Sequence, residues 1–205
     1  PSLRAALLRR AGLPEAQISR LLQGARQVLL FSYPDAPAQA LAQALQGLPQ
    51  GAVVLVPAGV CPALARGCHG AVHVHEMPFL DQDGFDRLLW SGDLNCVRGE
   101  DSLVRALWAG KPLLWHIYPQ EDQAHMAKLQ AWLALSPLGP QAAQAMTSWN
   151  AGDAPDSLAR LQQALQAGHW KDWQAAAAAW TAELARQTDL AASLTAFCAQ
   201  QQRKS

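Results

Sequence analysis

Five consecutive residues, Arg98-Gly99-Glu100-Asp101-Ser102, follow an apolar strand-like run and lead directly into helical spacing. A turn of this kind aims the free backbone N–H groups of a helix start and the positive end of its dipole into one small volume, together with the Ser102 hydroxyl and the Arg98 guanidinium. The chemistry that suits this set is anion binding, phosphate in particular. A second polar turn, Pro119-Gln-Glu-Asp-Gln-Ala-His125, follows the next apolar run and again enters a helix. Two such turns at the carboxyl ends of nearby strands are where an open α/β sheet holds a nucleotide, so the spacing predicts a nucleotide-diphosphate site. Helix capping is the plainer account of Asp101 or Ser102, with Gly99 making the turn. It leaves the upstream arginine and the pair of acidic neighbours unexplained.

Other reactive residues carry less. His73 and His75 alternate along a strand and share a face, but Glu76 points the other way, so a third metal ligand is wanting. Cys61, Cys68 and His69 form no Cys-x-x-Cys pair. His116, inside an apolar run, reads as a satisfied core histidine; His125, at a helix opening, is placed to reach a ligand, though a structural role is the more common one there. No Gly-x-Gly-x-x-Gly or Walker-type loop occurs, which argues against dinucleotide oxidoreductases, kinases and P-loop enzymes.

The elements that must position these residues follow from periodicity. Helical spacing occupies 3–10 and 14–24. Strands are predicted at 27–33, 51–57, 71–77, 93–97 and 112–117, with helices at 38–48 and 81–91 between them. Near-continuous apolar strands alternating with helices predict a parallel sheet covered on both faces. Beyond about residue 136 only helical patterns remain, at 140–150, 156–167, 169–186 and 188–202. In the third of these Trp170, Trp173, Ala177, Trp180 and Leu184 form one apolar face, expected to pack onto the domain. The organisation predicted is a helical lead-in over 1–26, a Rossmann-like domain over 27–136 and a helical extension over 137–205 packing on the same domain.

Composition bounds the function. Half of the 205 residues are hydrophobic, 16% are charged, and sixteen basic residues balance sixteen acidic ones. A neutral chain is unsuited to bulk-charge binding of nucleic acid, and the terminal Arg203-Lys204 is too short to alter that. No apolar run approaches membrane-spanning length. The start is basic within and after its apolar residues, unlike a signal peptide, and Pro1 in place of an initiator Met is expected of an internal segment of a longer polypeptide. Four scattered cysteines fit a reducing compartment, so a cytoplasmic location is expected.

The order of strand, Gly-plus-Ser helix entry, helix ending Ala-Gly-x-Pro, and strand resembles the donor half of GT-B glycosyltransferases. More specifically, Pro78-Phe79, Phe85-Asp-Arg-Leu-Leu-Trp90, Asp93-Leu-Asn, Val97-Arg-Gly-Glu-Asp-Ser102, Trp108-Ala-Gly and Trp115-His-Ile-Tyr-Pro-Gln-Glu121 are similar to one narrow family. That family is EarP, the protein-arginine rhamnosyltransferases that modify translation elongation factor P. Phe31-Ser-Tyr33-Pro34 and Trp149-Asn150 extend the likeness over most of the chain. The resemblance implies dTDP-β-L-rhamnose as donor, an arginine side chain as acceptor, inversion at the sugar carbon, and no metal or other cofactor. It implies that Tyr33 and Phe79, with Phe31, neighbour the thymine and that Gln82 contacts the donor. Arg98, Asp101 and Ser102 would surround the diphosphate, Tyr118 would reach it, and Glu100 matches a carboxylate needed for activity. It also implies a preceding Rossmann-like domain with the catalytic aspartate, so the expectation is that this chain alone binds donor and turns over little or nothing. Two rival readings fit the residues: a donor domain for another nucleotide sugar, and a non-enzymatic module whose helical tail docks a partner.

Overall fold

A computed structural model of the chain describes residues 3–120, 122–152 and 155–202; Glu121, Arg203 and Lys204 lie outside them. Two short helices, α1 (Leu3–Arg10) and α2 (Glu15–Leu22), precede the first strand, β1 (Arg26–Leu30). There follow α3 (Ala38–Gln46), β2 (Ala52–Pro57), β3 (Gly67–His69), β4 (Val72–Met77), α4 (Gln82–Ser91), β5 (Leu94–Arg98), α5 (Gly99–Ala109) and β6 (Leu113–His116). The remainder is helical: α6 (Ala124–Leu135), α7 (Pro140–Trp149), α8 (Ser157–Leu165), α9 (Ala167–Leu184) and α10 (Leu190–Gln202).

The six strands form one sheet in the order β3-β4-β2-β1-β5-β6. All neighbours are parallel except β3, which runs antiparallel to β4. The apolar runs are strands because they are covered on both faces: every residue of β2 is buried, as are Val28, Leu29 and Leu30 of β1. The chain winds from β1 outward through β2 to β4, then returns across β1 to build β5 and β6. Right-handed crossovers therefore place α3 on one face and α4 and α5 on the other. The reversal falls between β1 and β5, so a crevice opens at their carboxyl ends. The residues just beyond those ends are Phe31–Tyr33 and Gly99–Ser102.

The parallel sheet and its helical sequel agree with the sequence pattern. Two details differ. Segment 67–69 is a strand where none was expected, because Gly-Cys-His is too short and too exposed to carry an alternating signal. The first strand ends at Leu30 rather than at residue 33. Phe31 still donates its N–H to the Cys96 carbonyl at 2.8 Å, after which the chain leaves the ladder.

The extension is integral to the fold as far as α9. Trp149, Trp170 and Trp173 are buried, and Arg26 stacks its guanidinium over Trp170 at 3.7 Å. The outer edge of β6 is closed by α7. Asn150 accepts from the Ile117 N–H at 2.8 Å and donates to the Trp115 carbonyl at 2.7 Å and the Met146 carbonyl at 2.9 Å. The Met146 sulfur receives the Trp115 N–H. By contrast α10 is solvent-exposed, with Leu190, Leu194 and Phe197 uncovered. Among the described residues no helix is long and apolar enough to cross a membrane.

Candidate functional site

The site begins at the junction of β5 and α5. Arg98 occupies the N-cap position in extended conformation and provides no side-chain cap. Gly99 follows at φ +66°, a left-handed backbone that a side chain would strain. The Gly99 carbonyl is pinned by the indole N–H of Trp115 at 2.9 Å. Neither Asp101 nor Ser102 caps the helix, so the capping account of this turn fails. Of the first amides of α5, that of Glu100 is engaged by its own carboxylate, and those that follow have no side-chain cap.

The charges around this turn are unequally committed. Glu100 is bound by Lys128 of α6 at 2.6 Å, and that hydrogen bond lowers its carboxyl pKa. Asp101 pairs with Arg105 at 3.0 Å, and Arg105 reaches on to Asp86 at 2.8 Å. Gln82, with its amide oriented to satisfy the same network, accepts from the Arg105 guanidinium. Arg98 has no ion-pair partner among the described residues. Its guanidinium lies over the rings of Phe31, 4.6 Å from the centroid, and Tyr33, 5.2 Å away. The Ser102 hydroxyl likewise makes no hydrogen bond among the described residues.

Aromatic residues wall the crevice. Phe31 meets Phe79 and Phe85 edge-on, with centroids 6.4 and 5.5 Å away. Phe79 is 62% exposed, an unusual position for a phenylalanine with no partner to cover it. A cleft of about 280 Å³ is lined by Phe31, Phe79, Gln82, Asp101, Ser102 and Arg105, among others. Beside it Tyr33 packs edge-on against Tyr118 at 5.6 Å and against His116 at 5.3 Å. Burial raises the phenol pKa of Tyr33, with Arg98 opposing, so the hydroxyl stays protonated at neutral pH.

The structure thus gathers Phe31, Phe79, Gln82, Asp101 and Ser102 in one cleft; Arg98 joins it by lying over Phe31 and Tyr33, and Tyr118 packs on Tyr33. Two placements alter how residues could act. Asp101 is held by Arg105 beside the cleft, and Glu100 by Lys128. Sequence reasoning passed over Arg105, Asp86 and Lys128. The Asp101–Arg105 spacing of four was a visible signal for the first; nothing in the sequence pairs Glu100 with Lys128. Asp81 and Asp83 make an Asp-x-Asp triplet at the head of α4, but Asp81 serves as its N-cap, accepting the Gly84 N–H at 2.8 Å. Among the described residues no three His, Cys, Asp or Glu converge to hold a metal ion.

A family model described as elongation-factor P (EF-P) rhamnosyltransferase EarP matches residues 3–199. The chain belongs to the EarP family. It is 41% identical over 192 residues to the protein-arginine rhamnosyltransferase of Pseudomonas aeruginosa, a match covering 86% of this chain and 51% of that protein. The protein-arginine rhamnosyltransferase of Shewanella oneidensis is 40% identical over 137 residues, covering 62% of the chain and 33% of its own length. A structure solved for the basis of EarP-mediated arginine glycosylation of translation elongation factor EF-P superposes with a TM-score of 0.69 at 37% identity. It covers 95% of this chain and 70% of that one. The chain therefore spans about half the length of the Pseudomonas EarP relative it matches.

Proposed function

We propose that this chain is the donor-binding half of an inverting protein-arginine rhamnosyltransferase, holding dTDP-β-L-rhamnose for transfer to an arginine of translation elongation factor P. The observation that carries the reading is Arg98: an arginine without a carboxylate partner, at an uncapped helix start, beside an exposed aromatic wall. In this reading the uncapped amides of α5, the Ser102 hydroxyl and Arg98 receive the diphosphate, while Phe79, Phe31 and Tyr33 flank the thymine. Gln82 contacts the donor and Tyr118 approaches the phosphates. Asp101 acts by fixing Arg105 at the floor of the cleft, since a bare carboxylate would repel a diphosphate.

The chemistry explains the emphasis on the leaving group. A guanidinium is a poor nucleophile, because its lone pairs are delocalised and it stays protonated at neutral pH. Transfer to it needs a carboxylate that orients or deprotonates it, and strong stabilisation of the departing nucleoside diphosphate. Arg98, Ser102 and the α5 N-terminus supply the second requirement without a metal. Glu100 stands one residue beyond Gly99, and we assign it to the sugar or the acceptor guanidinium rather than to the phosphates. Acceptor activation is assigned to the portion of the relatives' length that this chain does not match, so donor binding without appreciable turnover is expected of the chain alone.

The test is calorimetric titration of the chain with dTDP, UDP and inorganic pyrophosphate. Binding of dTDP more tightly than pyrophosphate supports the reading. Tighter binding of UDP than of dTDP would move the donor to another nucleotide sugar, and no nucleotide binding would refute a donor site.

A further inference from the structure

His116 lies just behind the proposed donor pocket, and its surroundings are more specific than those of a core histidine. It ends β6 and sits in register beside Arg98 of β5. Its side chain is 3% exposed. The backbone N–H of Tyr33 donates to His116 Nδ1 at 3.3 Å. A backbone amide can only donate, so Nδ1 carries no proton and the hydrogen of the neutral ring sits on Nε2. Nε2 faces the Asp35 carboxylate at 3.8 Å, which favours that tautomer. The ring also meets Tyr33 edge-on at 5.3 Å, and Trp149 of α7 packs against it at 6.3 Å.

Tyr33 needs such support because β1 has ended before it. The last amide there to find a strand partner is that of Phe31, so the imidazole stands where the ladder has run out. One side chain fixes both the backbone and the ring of the residue that walls Arg98. We infer that His116 is a positioning residue of the nucleotide pocket, which holds Tyr33 in its donor-binding place by presenting an unprotonated Nδ1. The inference rests on the donor-site reading above. A proton on Nδ1 would abolish the contact and aim a second donor at the Tyr33 amide. Burial lowers the imidazole pKa, so the ring is neutral at neutral pH and gains its proton only on acidification, with Asp35 opposing and His125 adding to the effect. The ionisable groups facing it are Asp35 and Tyr33 from the loop after β1, Arg98 from β5 and His125 from α6; α7 offers the neutral Trp149.

The test uses the 205-residue chain and two substitutions, His116→Asn, whose carbonyl oxygen can replace Nδ1, and His116→Phe, which keeps ring volume without an acceptor. Each is titrated with dTDP and with inorganic pyrophosphate at about pH 7.5 and about pH 5. His116→Phe is expected to weaken dTDP about threefold to tenfold and to change pyrophosphate by less than about twofold. His116→Asn should retain most dTDP affinity, and on acidification it should lose less than the wild type does. Equal dTDP affinity in all three proteins, or equal loss of both ligands in His116→Phe, would overturn the inference. If His116→Phe does not fold, the pH arm decides, and parallel acid losses in wild type and His116→Asn overturn it. A wild type that binds pyrophosphate but shows no preference for dTDP removes the nucleotide pocket itself, and the inference falls with it.

Discussion

Replacing Arg98 by alanine separates a ligand role from a structural one, because the structure assigns the two very different magnitudes. Among the described residues the guanidinium forms no ion pair, and it contributes through its positions over Phe31 and Tyr33, at 4.6 and 5.2 Å. Cation–π contacts at partly exposed sites contribute about 0.5–1 kcal/mol each. The fold should thus lose about 1–2 kcal/mol, a fall of a few degrees in melting temperature for a chain of this length. Toward a diphosphate, in the proposed reading, the same group would donate a charge-assisted hydrogen bond contributing about 1.5–3 kcal/mol. The dTDP dissociation constant should therefore rise about tenfold to about 150-fold. Calorimetric titration with dTDP, pyrophosphate and thymidine provides the assay. Both phosphorylated ligands should lose the same factor while thymidine is little affected. Arg98→Lys should fall between, since an ammonium keeps the charge but not the planar fork. If dTDP binds the alanine variant within about twofold of wild type, Arg98 is not a phosphate ligand. If thymidine loses as much as dTDP, the arginine acts only by shaping the aromatic wall.

Three further substitutions have definite expected outcomes. Phe79→Ala should weaken dTDP by about 1 kcal/mol of lost base contact while leaving pyrophosphate unchanged in the same titrations; equal losses would indicate damage to the fold. Glu100→Gln should keep dTDP affinity, yet in an enzyme complete enough to transfer rhamnose it should lower the rate by about a hundredfold, the scale of a positioned catalytic group. The same variant tests linkage: the lowered Glu100 pKa means the Lys128 pair stabilises above the ordinary carboxyl value of 4.5 and is lost as pH falls through the folded pKa. Glu100→Gln should accordingly flatten the acid limb of stability in urea melts. Asn150→Leu removes three buried hydrogen bonds and should cost about 2–4 kcal/mol by urea denaturation, with dTDP affinity per folded molecule nearly intact.

The layout of the sheet was legible because its central strands are buried on both faces, and runs such as Ala52–Pro57 need no partner in view to be recognised. β3 was not legible, since three residues on an edge have no period to display. Half of the candidate site could be read for a related reason. In a doubly wound sheet the binding loops are the residues that follow the strands, so Arg98 to Ser102 announce themselves by sequence adjacency, whereas Phe31, Tyr33 and Phe79 were named only through the family resemblance. What could not be read is pairing across elements. Glu100 meets Lys128 from α6, and His116 meets the Tyr33 amide across the sheet. Such partners are set by strand register and helix docking, and their residue types occur equally on any solvated face. The tryptophans of α9 were read correctly as packing residues because a helix displays its buried stripe in its own spacing, as Trp170 and Trp173 show.

Asn150 gives the boundary near residue 136 a meaning that a composition change does not convey. Its amide, with the Met146 sulfur, occupies the outward hydrogen-bonding groups of Trp115 and Ile117, the place where another strand would pair. Truncation at that boundary would leave a short, flat and apolar strand with open donors and acceptors, the surface on which separate chains associate. A minimal Rossmann-like fragment cut there should accumulate as aggregates, and the shortest soluble version should retain residues through α7 together with Asn150.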